Sequence, residues 1–180
     1  MLPCSPLPAD SLLGMDVGMQ LRATVVTVSD EIHSGKDANR AGPIAVDLLA
    51  GHGLSVELVV GPDDKERIRA AVAAVISSGA RMVLTCGGTG IGPSDVTVDA
   101  VAPLLAYQVP GISEEIRRRG AMHVASALVS REVAGVVLEA PAPVFVITAP
   151  GSRGGVRDAI EVVGPLLGYI VAQLDGAGHH

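Results

Sequence analysis

At 180 residues the chain has the length of one domain, which would bury roughly 70% of its unfolded surface. Its 48% apolar content and mean hydropathy of +0.45 never gather into the ~18 consecutive apolar residues that a membrane span requires. A net charge of −6 and only 2% aromatic residues argue against nucleic acid, which is held by basic surfaces and stacked on aromatic rings. The apolar surplus fits strands buried on both faces, or a subunit interface in a homo-oligomer. Cys4 and Cys86 form neither a ligand spacing nor a disulfide framework, which points to a reduced, cytoplasmic compartment.

Residues 1–20 carry Pro3, Pro6, Pro8, Gly14 and Gly18 without periodicity and read as a flexible tail. No Lys or Arg precedes Arg22, so a secretory signal would lack its basic start. Residues 21–175 form the single domain, and 176–180 a second flexible tail. Leu21 to Ser29 is the first strand, followed by a long polar loop from Asp30 to Gly42, where Lys36 and Arg40 could meet an anion. Ile44, Leu48 and Leu49 share one face of a helix that stops at Gly51 or Gly53. Leu54 to Val60 is the second strand. Gly61-Pro62-Asp63-Asp64 then turns into a helix with Ile68, Ala71, Val72, Val75 and Ile76 on its apolar side. One of the two carboxylates is expected to cap that helix, which leaves the other for chemistry.

Met82 to Thr85 is a short, partly β-branched run that reads as a buried strand ending at Cys86. Gly87, Gly88 and Gly90, with only Thr89 between them, free the backbone for positive φ and for close approach by another molecule. Successive amides in such a loop can cradle phosphate oxygens. Asp95 stands at its edge, and Thr97 is the expected N-cap of a helix from Val98 to Leu105. The loop has no Lys, so it is not a P-loop, and its glycines do not follow the dinucleotide fingerprint.

Beyond Val109-Pro110-Gly111 lies a charged helix in which Glu114 and Glu115 face Arg117, Arg118 and Arg119 as a salt-bridged surface. Val133, Val136 and Val137 are strand or hairpin material, and Val144 to Thr148 is the last buried strand. A second glycine-rich loop, Pro150 to Gly155, leads into a final helix from Val156 to Leu174. Alternating strands and helices imply an α/β fold of three layers, a mostly parallel sheet with helices on both faces. The loops after the first, third and last strands should meet at the carboxyl edge of the sheet, in a pocket suited to a ligand with several phosphates.

Six ordered motifs resemble the MogA/MoaB family of molybdenum-cofactor biosynthesis proteins, from about Arg22 to Ile170. They are Thr27-Val28-Ser29-Asp30 with Gly35; Pro62-Asp63; Gly87-Gly88-Thr89-Gly90 with Asp95-Val96-Thr97 and Asp99-Ala100; Pro110-Gly111; Ser130-Arg131; and Pro150-Gly151-Ser152. The resemblance implies a cytoplasmic homotrimer that binds molybdopterin and, in the adenylyltransferase members, joins its terminal phosphate to AMP from ATP with Mg²⁺. It implies that Asp63 and Asp95 are catalytic; the same two carboxylates are the expected Mg²⁺ ligands, and Ser29, Asp30, Gly87, Gly88, Thr89, Gly90, Thr97, Pro150, Gly151 and Ser152 are the expected ligand-binding residues. The molybdate-insertion protein of the same pathway is an implied partner. Asn39, Ser94 and Val98 depart from the family's pattern, and the alternative is a non-catalytic paralogue that holds or delivers the pterin.

Overall fold

The computed structural model describes residues 21–138 and 140–177, so the tail at 1–20, Cys4 and the last three residues lie outside it. Six strands form one sheet: β1 (Arg22–Val28), β2 (Ser55–Gly61), β3 (Met82–Cys86), β4 (Tyr107–Gln108), β5 (Ala134–Val137) and β6 (Val144–Ala149). Their order is β2-β1-β3-β6-β5-β4. The first four in that order are parallel, whereas β5 runs antiparallel to β6 and to β4. The sheet is therefore mixed, with the expected parallel part at the end that carries β1, β3 and β6. No connection long enough for a crossover separates β5 from β6, so that pair can only be antiparallel.

Alternation along the strands sends side chains to two cores. Val25, Leu84, Phe145 and Ile147 pack under α2 (Ala41–Gly51), α5 (Pro110–Ala121) and α6 (Arg153–Val163). Val26, Val28, Val83 and Val146 face α3 (Lys65–Ser77) and α4 (Thr97–Val101) on the other side. Val25, Val83, Leu84 and Ile147 are wholly buried, which accounts for the unusually apolar composition. No described helix is long and apolar enough to cross a membrane.

Three elements differ from the sequence expectation. The polar loop after β1 contains a one-turn helix, α1 (Asp30–His33), because the Ser29 hydroxyl accepts from the Ile32 N–H and caps it. The helix expected over 98–105 is α4 followed by a tighter turn at Ala102–Leu104, where Pro103 cannot donate a backbone hydrogen bond. Pro165 divides the last helix in the same way, giving α6, a turn at Gly164–Leu166, and α7 (Leu167–Leu174). The apolar stripe of Ile160, Val163 and Leu167 is nonetheless buried across the break.

Candidate functional site

Strand order reverses at β1, whose neighbours β2 and β3 are reached by crossovers in opposite directions. Ligands of open α/β sheets bind at the carboxyl edge of such a switch point. Here the loops that follow β1, β3 and β6 are in contact. The Gly87 N–H donates to Ala149 O at 3.0 Å. A Cβ on Gly151 would stand 3.1 Å from Gly87 Cα, and one on Gly87 only 2.2 Å from Val28 O. Gly87 (φ +111) and Gly88 (φ +63) hold left-handed backbone, so both require glycine for conformation as well as for space.

The loop then presents three consecutive amides, those of Gly88, Thr89 and Gly90, that donate to no acceptor among the described residues. The carbonyls of the same three residues, by contrast, are engaged. Gly88 O accepts from the Thr97 N–H at 3.1 Å, Thr89 O from the Arg131 N–H at 2.7 Å, and Gly90 O from Arg131 Nε at 2.7 Å. Arg131 also donates to Asp95 O and pairs with both carboxylate oxygens of Asp99, at 3.2 and 3.1 Å. The guanidinium bonded to Asp99 holds that carboxyl below the usual carboxylate range. Arg131 thus ties together the loop, α4 and the segment before β5.

Thr97 is the first helical residue of α4 rather than its cap. It is fully buried, its hydroxyl has no hydrogen-bond partner, and a Cβ on Gly88 would meet that oxygen at 2.3 Å. It supports the glycine loop from beneath. Asp95 Oδ2 accepts from the Gly92 N–H at 2.9 Å and would lie 2.6 Å from a Cβ on Gly90, so this carboxylate sits flat against the loop backbone.

Of the adjacent pair after β2, Asp64 caps α3 by accepting from the Arg67 N–H at 2.8 Å. Asp63 makes a reciprocal contact with Asp30, each backbone N–H donating to the other's carboxylate, at 2.9 and 3.0 Å. Burial pushes the Asp63 carboxyl up, the Asp30 N–H lowers it, and the charges of Asp30, Glu31 and Asp95 raise it again. Every charge acting on Asp63 is negative. Asp63 and Asp95, on separate loops, therefore share one field.

Two clefts open on this edge, and Ser152 lines both. The first, of about 320 Å³, takes Thr89, Gly90, Pro150 and Ser152 from the predicted set. The second takes Ser29, Gly151 and Ser152, with Arg40 and Arg153 at its wall. Ser152 caps α6 by accepting from the Gly155 N–H at 3.0 Å. Asp30, Asp63 and Asp95 line neither cleft. The first cleft also contains residues that the sequence did not reveal: Arg117, His123, Glu132 and Asp158. Arg118 and Arg119 pair with Glu115 as expected, but Arg117 turns inward and donates to Glu132 O at 3.0 Å. The only signal for Glu132 was an acid placed directly before an apolar strand.

A mixed α/β sheet with two touching glycine loops at its switch point places the chain among the open-sheet α/β proteins whose ligand sites lie at the carboxyl edge. Residues 24–169 match the family described as a probable molybdopterin binding domain, and the chain belongs to that family. It is 35% identical over 159 residues to a molybdenum cofactor biosynthesis bifunctional protein of Chlorobaculum tepidum, covering 88% of this chain and 50% of that one. The chain spans about half the length of the first two curated relatives it matches. With the molybdopterin adenylyltransferase of Pyrococcus furiosus it shares 33% identity over 140 residues, 77% of this chain and 82% of the relative. A solved structure of MogA superposes with a TM-score of 0.79 at 34% identity, covering 85% of this chain and 99% of that one. The resemblance to MogA and MoaB is thus shown, and with it a place in molybdenum cofactor biosynthesis.

Proposed function

We propose that the protein transfers AMP from ATP to the terminal phosphate of molybdopterin. The observation that carries this reading is the run of three unpartnered amides at Gly88, Thr89 and Gly90, of which Thr89 and Gly90 line the first cleft, with the Asp95 carboxylate against the same loop. Such amides hold phosphate oxygens without a lysine. Two clefts joined at Ser152 offer room for two phosphorylated ligands.

In the reaction, an oxygen of the terminal phosphate bonds to the α-phosphorus of ATP while the bond from that phosphorus to the bridging oxygen of pyrophosphate breaks. The nucleophile is already anionic at neutral pH, so the protein's task is alignment and charge compensation. The amides of the glycine loop and the Ser152-capped start of α6 bind and orient phosphate oxygens. The charges that act on Asp63, those of Asp30, Glu31 and Asp95, are negative, and a polyanion brought beside them needs charge compensation. The oxygen donors of Asp63 and Asp95 fit Mg²⁺, which takes one or two carboxylates and completes its shell with phosphate and water. Among the described residues no cluster of three or more His, Cys, Asp or Glu is arranged to hold a metal ion. Bound there, Mg²⁺ would neutralise phosphate charge.

The departures at Asn39 and Ser94 do not favour a binding-only paralogue. Asn39 Oδ1 accepts from the Gly42 N–H at 2.9 Å, and its amide donates to Thr27 Oγ1, a local structural role at the start of α2. Ser94 is exposed. A cytoplasmic homotrimer acting beside the molybdate-insertion protein completes the reading. Pyrophosphate release from molybdopterin, ATP and Mg²⁺ tests it, with Asp95→Asn expected to lose turnover more than ligand binding. Equal loss of both would refute the role of Asp95. Saturating ATP with Mg²⁺ should also stabilise the fold, by about 2.7 kcal/mol at a hundred times Kd; no stabilisation would point to the paralogue that only binds the pterin.

A further inference from the structure

Glu132 is buried, 2% exposed, and its Oε2 lies 2.7 Å from Ser130 Oγ. Ser130 Oγ in turn lies 3.0 Å from Thr89 Oγ1, so a chain of three side chains runs from a closed carboxyl to the glycine loop. Oε1 of Glu132 is buried without a donor. Arg117 Nη1, 3.8 Å from that oxygen, gives its N–H bonds to the carbonyls of Ser130 and Glu132. An ionised carboxylate deprived of donors is costly, and a neutral carboxyl much less so. Two charges face the group: Arg117 on α5 favours the anion, and Asp158 on α6 the neutral acid. Arg131, the preceding residue, is committed to Asp99 and the glycine loop. Burial outweighs the Ser130 bond and Arg117 together and holds the carboxyl above its ordinary 4.5.

Ser130 has one hydroxyl proton and two oxygen neighbours, so it cannot donate to both. Ionised Glu132 can only accept, which fixes the Ser130 proton on Oε2. The Thr89 proton must then serve either Ser130 or a ligand. Neutral Glu132 supplies its own proton to the bond with Ser130. The Ser130 proton then closes the bond to Thr89, and the Thr89 proton is free for an anion beside the amides of Gly88, Thr89 and Gly90. We propose that Glu132 is a positioning residue: its neutral form turns the Ser130 and Thr89 hydroxyls into donors toward a phosphate held by the glycine loop, and binding of that phosphate draws one proton from solvent onto Oε2. The proposal rests on the molybdopterin reading above for the identity of the ligand.

Equilibrium binding of molybdopterin to the full chain, measured from pH 5 to pH 8, tests this through Glu132→Gln, whose Nε2 donates to Ser130 at every pH. Titration of the ligand itself is common to both proteins and cancels in the ratio of their Kd values. Linkage to one proton weakens native binding by up to about tenfold per pH unit. The two proteins should therefore agree within about twofold at pH 5, and the variant should bind about tenfold or more tightly than the native protein at pH 8. In a Ser130→Ala background the chain is cut, and Glu132→Gln should change neither Kd nor its pH dependence by more than about twofold. Thermal unfolding reports whether each variant is folded. A ratio that does not vary with pH would overturn the proposal. So would a pH-dependent ratio that persists with Ser130→Ala, since the charge of Glu132 alone would then account for it. Either result leaves the molybdopterin reading in place, whereas no binding of molybdopterin by the native protein at any pH would overturn both.

Discussion

Replacing Gly88 by alanine tests how the glycine loop is held over Thr97. The new residue must keep φ at +63, which costs an L amino acid about 1–2 kcal/mol. Its Cβ would lie 2.3 Å from Thr97 Oγ1 and 3.2 Å from Thr97 Cβ. Overpacking of that kind adds about 1–3 kcal/mol, so Gly88→Ala should lose about 2–5 kcal/mol of stability. The main obstacle is one removable oxygen. Thr97→Ala deletes a fully buried, unpartnered hydroxyl, a relief of about 1–3 kcal/mol that offsets the lost methyl packing. The single Thr97 variant should therefore be near neutral. The double variant should retain the backbone cost and the milder 3.2 Å contact with the remaining Cβ, giving a favourable coupling of about 1–3 kcal/mol. Urea denaturation followed by circular dichroism measures all four corners of the cycle. Effects that add within about 0.5 kcal/mol would refute the steric account.

Three further outcomes follow from the same contacts. Burial holds the Glu132 carboxyl above its ordinary value of 4.5, so the native fold is favoured below that pH and loses stability as pH rises through the raised value. Glu132→Gln should be more stable than the native protein at pH 7, with the gap narrowing toward pH 4.5; a pH-independent gap in thermal unfolding would contradict this. Glu115 behaves oppositely, because its bonds to Arg118 and Arg119 bring its carboxyl down to about 2. Glu115→Gln should destabilise the protein at neutral pH, and this deficit should vanish as pH falls from 4.5 toward 2 in the same assay. Arg131→Lys cannot span Gly90 O, Asp95 O and Asp99 together, and amide exchange over residues 88–97 should quicken by about tenfold, equal to ~1.4 kcal/mol of opening free energy. Unchanged exchange would remove Arg131 from its place as the clamp.

Much of this was legible in the chain because local rules and tertiary structure agree. The β-branched runs became β1, β3 and β6, the Ile68, Val72 and Ile76 face of α3 is buried, and Asp64 rather than Asp63 spends its carboxylate on the cap. Periodicity fails where a proline intervenes, since Pro103 and Pro165 remove backbone donors without disturbing the apolar spacing. Strand direction at β4 and β5 is likewise not a property of composition. Arg117 looked like its neighbours Arg118 and Arg119, and only the packing of α5 shows that it faces the Glu132 cleft. The clamp made by Arg131 was invisible for the same reason: its four acceptors lie more than thirty positions away.

The central claim is adenylyl transfer, and the product itself is the most direct evidence. The protein would be incubated with molybdopterin, ATP labelled at the α-phosphate and Mg²⁺, and the mixture resolved by mass spectrometry beside the Asp95→Asn variant. Labelled, adenylylated molybdopterin from the native protein and not from the variant is the predicted result. Molybdopterin bound but unmodified, with ATP intact, would contradict the transferase and leave a protein that holds the pterin.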